Sequence, residues 1–409
     1  MRRRVPKRFL SDAYRIDGFR VRRTVRGIFG DSLARVVTLD RRTRRVVCGT
    51  CGTVHFTWYD HRRHLVRDLP CGDTRVFVDI ELRRVRCMQC AAVRKESIDA
   101  VIGSPFVTKR FAFYVGRRCH SATIHDVAKE LHLSWRTVKD LDIAYMTAQL
   151  ERRPPAPPSV LGIDEISIRR GHTYRIVVSD LIRKRPIWFG GEDRKESSMD
   201  EFFVWLGEER SKRVRLVVMD MWRPFLNSAR RHVPHAAILY DKFHALRHLG
   251  DAMDRVRRSE YKRVEGHDRK FIKGQRYTLL AHRENLTTDG RRALNALLRV
   301  NRRLNIAYVL KESFGQLWDY TSEAWARRFF DNWCAALVGR ELEHFEKFAK
   351  MIDRHWDGIA AHCRPENKVS LGFIEGLNGK IRVIQRRAYG ITDEEYLRLK
   401  ILTCTLEPI

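Results

Sequence analysis

Three features of the sequence predict a multidomain α+β protein. Two C-x-x-C pairs, Cys48/Cys51 and Cys87/Cys90, bracket a β-prone stretch and predict a zinc-binding module. Four prolines within residues 154–158 form a stiff polyproline segment and so mark a domain boundary. Beyond it, apolar segments in the order β-β-β-α-β-α-β give way to a long, charged helical block. The expected organisation is a basic N-terminal region with the zinc module (1–100), a helix-turn-helix domain (101–150) and the proline-rich linker (151–159). An α/β domain then begins (160–245), is interrupted by an all-helical insertion (246–365) and is completed by C-terminal helices (366–409).

The first 45 or so residues are rich in arginine and cut by glycine, with short β-like pieces such as "RVVTL". The segments "VVCGTCG", "WYDHRRHLVRDLP", "RVFVDIELRRVRC" and "CMQC" read as a knuckle, a polar connection, a strand and a second knuckle. Zn²⁺ takes four ligands in a tetrahedron, and two C-x-x-C turns supply two thiolates each. His61, His64 and Cys71 lie between the pairs and are the substitute ligands. Cys119, Cys334, Cys363 and Cys404 are scattered and read as buried, unreactive thiols.

In "SATIHDVAKELHLSWRTVKDLDIAYM", Ile124, Val127, Ala128 and Leu131 form one apolar helix face. "HLS" is the turn, and Ser134 caps the next helix. Trp135, Arg136, Thr137 and Lys139 stand at the start of that helix, where such a pair contacts the major groove. The plainer reading is a helical pair of a larger bundle. After the linker, "VLGIDEISIRRGHTYRIVVSDLIRKRPIWFGG" reads as three antiparallel strands. "SSMDEFFVWLGEER" is an amphipathic helix capped near Ser198, and "RVRLVVMDMW" is a strand. "RPFLNSARRHVP" is a helix with Pro224 in its first turn, and "HAAILYDKFH" is a further strand. No strand-like block interrupts residues 245–365. From 370 the pattern is a helix, a loop near Gly390 and a last helix.

The chain carries 80 Lys+Arg against 50 Asp+Glu, a formal net charge of +30. A surplus of that size suits a polyanion, because neutralised phosphates release counterions. No apolar run approaches the roughly 20 residues of a membrane-spanning helix. "MRRRVPKRFL" lacks the apolar core of a signal peptide. The expected setting is the cytoplasm, and the expected partner is double-stranded DNA. "GEDRKESS" is no phosphate-binding loop, so no ATP is expected.

Asp164 in "LGIDE" and Asp220 in "VVMDM" each stand at the expected end of a strand. If the first and fourth strands are neighbours, the two carboxylates sit side by side. Like charges that close are costly unless a cation joins them. Mg²⁺ or Mn²⁺ suits such a pair together with phosphate oxygens. Glu375 in "GFIEGLNGK" is the candidate third acid. Gly372, Gly376 and Gly379 leave room for a DNA backbone, and Lys380, Arg382, Arg386 and Arg387 are placed to hold phosphates. Competing readings remain for each acid. Glu165 is the rival to Asp164, although strand alternation points it the other way. Asp220 is alternatively a helix cap, and Glu375 a residue of a solvated face. Asp241 and His244 in "YDKFH" form a second polar cluster, with Asp241 supporting the metal site or replacing Asp220 in it.

Six stretches in this order resemble the DDE transposases of the insertion-sequence L-three family: the zinc knuckles with "ELRRVRCMQC", the helix-turn-helix, "GIDEISIRRGHTYRIVVSDL", "VVMDMWRPF", "YDKFH" and "EGLNGKIRVIQRRAYG". The resemblance covers almost the whole chain. It implies a ribonuclease H-like catalytic domain with a helical insertion before the final acid. It implies that Asp164, Asp220 and Glu375 are the catalytic triad, and that the N-terminal modules bind the terminal inverted repeats of the element. The implied activity is metal-dependent cleavage and strand transfer of DNA, by a homo-oligomer that joins two ends to target DNA. One position departs from the family pattern: Leu371 stands where asparagine is usual, which would remove a hydrogen bond near the site. The rival function is a zinc and helix-turn-helix DNA-binding repressor with an inert α/β domain. The presence of all three acids favours the enzyme.

Overall fold

The computed structural model describes residues 13–103, 106–169 and 173–409. The N-terminal "MRRRVPKRFL" and the Arg170–His172 part of the first expected strand pair lie outside them. The chain forms two compact units, residues 1–154 with 384–409, and residues 155–383.

The first unit begins with β1 (Phe19–Ile28), β2 (Asp31–Arg41), β3 (Val46–Val47), β4 (Val54–His55), β5 (Asp60–Cys71), β6 (Thr74–Cys87), β7 (Ala92–Lys95), β8 (Val101–Gly103) and β9 (Phe106–Thr108). One sheet runs in the order β1-β2-β6-β5-β9-β8, with β7 also paired to β6, while β3 and β4 pair separately. Apolar residues at alternate positions of β6, Val76, Val78 and Ile80, bury one face against Phe19, Val37, Leu39 and Val66. The stretch expected as a polar connection is the strand β5, paired with β6 from Asp60↔Arg84 to Asp68↔Val76. Its charges obscured the strand pattern, and the structure shows why they are tolerated. Arg63 Nε donates to Asp79 at 2.8 Å, and buried Asp68 accepts from Thr108 and Arg110.

Three helices follow, α1 (Lys109–Ser121), α2 (Ile124–Leu131) and α3 (Trp135–Arg152). Val127, Ala128 and Leu131 bury the expected face of α2 against Phe111, Val115, Val138 and Leu141. The turn is where "HLS" placed it. His132 takes a left-handed conformation, and Ser134 Oγ accepts from Thr137 N at 3.1 Å. Gly116 lets α1 approach α3 closely, since a Cβ there would lie 2.2 Å from Tyr145 Cγ.

The second unit holds β10 (Val160–Arg169), β11 (Thr173–Asp180), β12 (Arg185–Gly190), α4 (Glu196–Leu206), α5 (Glu208–Ser211), β13 (Leu216–Met219), α6 (Arg223–His232) and β14 (Ala237–Tyr240). The sheet order is β12-β11-β10-β13-β14. β10, β11 and β12 are antiparallel, whereas β13 and β14 join β10 in parallel. The expected strands and helices are all present, with one difference at α4. Ser198 lies inside that helix, and its hydroxyl donates to Asp193, which also accepts from Lys195 N just ahead of the first turn.

A helical block follows: α7 (Lys242–Arg263), α8 (Gly266–Gly274), α9 (Arg276–Leu280), α10 (Thr288–Val300), α11 (Arg302–Phe314), α12 (Glu323–Ala335), α13 (Glu343–Arg354) and α14 (Trp356–Ala360). It is no separate globule. One apolar cluster runs from Leu161, Ile163 and Val217 of the sheet through Met253 and Phe314 to Trp333 and Phe345. The long α15 (Gly372–Arg387) lays Ile374 against Gly162 of β10, where a Cβ would lie 3.0 Å from Ile374 Cδ1.

The last helix, α16 (Glu394–Thr403), was expected with the α/β domain, but its described contacts lie in the first unit. Tyr396 Oη donates to buried Asp142 of α3 at 2.5 Å, and Lys400 Nζ lies 2.6 Å from the same carboxylate. A buried charge needs such partners, and nothing in the local pattern of α16 names them. Gly116→Ala should cost about 1–3 kcal/mol by overpacking α1 on α3. Urea unfolding checks this, and an unchanged midpoint would show that the two helices can part freely.

Candidate active site and zinc module

The four knuckle cysteines converge. Their Sγ atoms all lie within 4.8 Å of one another. Cys48 and Cys90 are 3.9 Å apart, and Cys51 and Cys87 3.4 Å. A tetrahedron of sulfurs about 2.3 Å from a zinc ion has edges of roughly 3.8 Å, so small shifts bring the set onto Zn²⁺ geometry. The residue after each knuckle is left-handed, Gly52 at φ +75° and Ala91 at φ +48°. The thiols press toward ionisation unequally. The Thr53 hydroxyl and backbone N–H hold Cys51 down to about 6, while hydrogen bonding to Cys51 and burial push Cys90 up to about 12. Four adjacent thiolates need a cation. None of the substitute ligands joins the set, and His64 instead stacks on Phe106 at 4.6 Å.

The acids of the second unit are positioned by strand register. Leu161 pairs with Val217 and Gly162 with Val218 in the parallel ladder of β10 and β13. Two residues further, Asp164 stands level with Asp220. Asp164 was expected to end its strand but does not, because antiparallel pairing with β11 carries β10 on to Arg169. It lies where β13 stops and the sheet opens beside it. Asp220 follows β13 directly and does not cap α6, which has no side-chain cap.

His244, in the first turn of α7, bridges the pair. Its Nδ1 lies 3.2 Å from Asp220 Oδ2 and its Nε2 3.9 Å from Asp164 Oδ1. The hydrogen bond to Asp220 raises His244 to about 9 despite its burial. It is therefore an imidazolium at neutral pH. Burial opposes the charge on Asp220, yet His244 and the Met221 N–H outweigh it and hold the carboxyl below its usual range. Burial prevails at Asp164 and raises it, against His244, the Glu165 N–H and the Asn378 amide. Asn378 Nδ2 donates to Asp164 Oδ2 at 2.5 Å.

The remaining residues fall into place around this pair. Glu165 turns away to Arg194 at 2.7 Å. Asp241 is buried, caps α7 through Phe243 N and lies close enough to His244, Asp164 and Asp220 to feel their charges. Glu375 is exposed on the first turn of α15, three residues before Asn378 and so on the same side of the helix. Among the described residues its carboxylate does not close with Asp164 and Asp220 into a set as tight as the cysteines. Leu371 is buried in an apolar cluster with Val160, Leu216, Val218 and Ile374, which gives the departure from the family pattern a packing role.

Trp135 is half exposed and Arg136 exposed, whereas Thr137 serves the Ser134 cap and Lys139 is bound to Asp393 at 2.7 Å. Arg382 and Arg386 are exposed, Lys380 is also exposed, and Arg387 donates to the His120 carbonyl. Sequence reasoning missed Asn378 as a partner of Asp164. The signal was present as its spacing of three from Glu375 in "EGLNGK".

Sheet, acid pair and sulfur cluster together describe an enzyme that processes DNA and carries a zinc module. Residues 161–401 match a family of DDE transposases of the ISL3 type, described as "Transposase", and residues 44–90 match the zinc-finger of transposase IS204/IS1001/IS1096/IS1165. The chain belongs to the ISL3 family of DDE transposases. It is 32% identical to the transposase for insertion sequence element IS1001 of Bordetella parapertussis, over 87% of this chain and 88% of that protein. It is 27% identical to the transposase for IS1557 of Mycobacterium tuberculosis, over 89% and 87%. Among the described residues no helix is long and apolar enough to cross a membrane.

Two outcomes follow from this geometry. Cys48→Ser should lose the bound zinc and lower the thermal midpoint, as read by metal analysis and calorimetry, while an unchanged zinc content would remove Cys48 from the ligands. His244 gains its partner on folding, so its contribution to stability is full below about 6.5 and fades as pH rises through about 9. In magnesium-free buffer, the stability gap between wild type and His244→Gln should shrink across that window. A gap independent of pH would contradict the Asp220–His244 ion pair.

Proposed function

We propose that this transposase cuts and joins DNA at Asp164, Asp220 and Glu375, on a ribonuclease H-like core formed by residues 160–245 and 366–383 around the insertion 246–365. The observation that carries the reading is the pair of carboxylates level on neighbouring parallel strands, with a cationic side chain between them. The sheet, three antiparallel strands extended by two parallel ones, supports the core assignment. The pair fits Mg²⁺ or Mn²⁺, which favour carboxylate oxygens and share phosphate ligands. Such ions stabilise phosphoryl oxygens and lower the pKa of an attacking water or hydroxyl.

The protein's own residues then have distinct tasks. Asp220 supplies a carboxylate already ionised. Asp164, raised by burial, needs a cation beside it, and Asn378 fixes its second oxygen. Arg194 holds Glu165 away from the centre. Glu375 completes the ligand set from α15. Exposed Lys380, Arg382 and Arg386 take phosphates of the same strand, and Arg387 steadies the end of the helix.

The zinc module and the helix-turn-helix of 101–150 recognise the terminal inverted repeats, with Trp135 and Arg136 foremost and Thr137 and Lys139 shaping the helix start. Residues 153–159 join α3 to the core in sequence. Two ends must be joined to target DNA, so the working form is a homo-oligomer. It works in the cytoplasm and uses no ATP.

Asp164→Asn, Asp220→Asn and Glu375→Gln should each cut cleavage of a labelled element-end duplex by at least about a hundredfold, with DNA binding retained. Cleavage that survives one substitution removes that residue from the site. Tight binding without cleavage by wild type in either metal would favour a repressor.

A further inference from the structure

The hairpin of β1 and β2 has no part in the chemistry above, and its form is unusual. Its base is anchored. Phe19, Val37 and Leu39 are buried in the sheet core, Arg22 pairs with Asp40 at 2.6 Å, and Arg26 pairs with Asp79 at 2.6 Å. Among the described residues, none from Arg22 to Leu33 in its distal half is buried. Apolar side chains are nonetheless concentrated there. Val25 is 44% exposed, Leu33 47%, and Phe29, at the tip beside left-handed Gly30, is wholly exposed. Burial explains none of these positions.

Charge and ladder geometry narrow what covers the tip. Arg20, Arg22, Arg23, Arg26 and Arg35 line the ribbon. The acid of its distal half, Asp31, is met by Arg75 at 2.5 Å, and Asp40 and Asp79 lie at the base, the latter shared with Arg63. The strand pairing breaks twice. Residues 22–24 lie opposite the single Thr38, and residues 32–35 opposite the single Gly27. Bulges and like charges blunt an edge against addition of another strand, which disfavours a second copy of the chain as occupant. A basic ribbon ending in an apolar wedge instead suits duplex DNA. Two-stranded ribbons enter its grooves, and inserted phenylalanines unstack base steps.

We propose that this hairpin is a DNA-distorting arm: its arginines lie along backbone phosphates and Phe29 wedges into a base step near the element end. The inference rests on the DNA-binding role of the first unit. The test uses full-length, zinc-loaded protein in magnesium-free buffer, bound to an element-end duplex with 2-aminopurine at successive positions and a dye pair at its ends. Wild type should brighten 2-aminopurine at a confined position and shorten the dye separation. Phe29→Ala should lose both signals while still binding at low salt, and Phe29→Trp should keep them. Arg20→Gln should reduce the slope of log affinity against log salt by about one.

Because Phe29 is wholly exposed among the described residues, its substitution should leave the fold intact. Unchanged distortion by Phe29→Ala overturns the proposal. So does a Phe29→Ala protein that loses an oligomer yet still distorts DNA. If wild type does not bind its element end at all, the proposed function itself falls.

Discussion

Two carboxylates held level on adjacent strands set the central constraint of this structure. The parallel pairing of β10 with β13 brings Asp164 beside Asp220, the first buried and the second partly so. Two buried negative charges at that distance are unstable alone. His244 resolves the conflict as a cation, and Asn378 satisfies the oxygen that His244 leaves. Several features of the second unit follow from this arrangement. Asp241 starts α7 so that its first turn aims His244 inward, Arg194 draws Glu165 aside, and Ile374 sets α15 against Gly162. Under the proposed function, a divalent ion would meet the same electrostatic need as the imidazolium.

The first unit repeats the principle with sulfur. Four thiolates this close cannot all ionise without a cation to offset their repulsion. The knuckles are tied to the sheet by a few backbone hydrogen bonds, among them Gly49 N to Lys95 O and the Cys48–Glu96 bridge. A metal held by the four thiolates would add its binding free energy to the stability of this module.

Much of this was legible in the sequence because it is local. The cysteine spacing, the Ser134 cap, Pro224 at the start of α6 and the strands ending near Asp220 each depend on a few neighbouring residues. What escaped was long-range. β5 was hidden because its charges are neutralised by residues of β6, β9 and α1, which no window of sequence brings together. α16 was assigned to the wrong neighbour for the same reason, since Asp142 lies about 250 residues from its partners. The length of β10 beyond Asp164 depends on β11, not on its own pattern. His244 was noticed as a polar residue, but its place between the acids required the register of three strands. Asn378 carried a readable signal in its spacing from Glu375, yet its target was not.

The central claim is that Asp164 and Asp220 form a cation site that His244 guards. Anomalous diffraction from crystals of the element-end complex grown with Mn²⁺ tests it most directly. The account predicts a manganese peak within bonding distance of both carboxylates, with His244 drawn away from Asp220. Manganese bound elsewhere, with the Asp220–His244 contact intact beside an ordered DNA end, would contradict it.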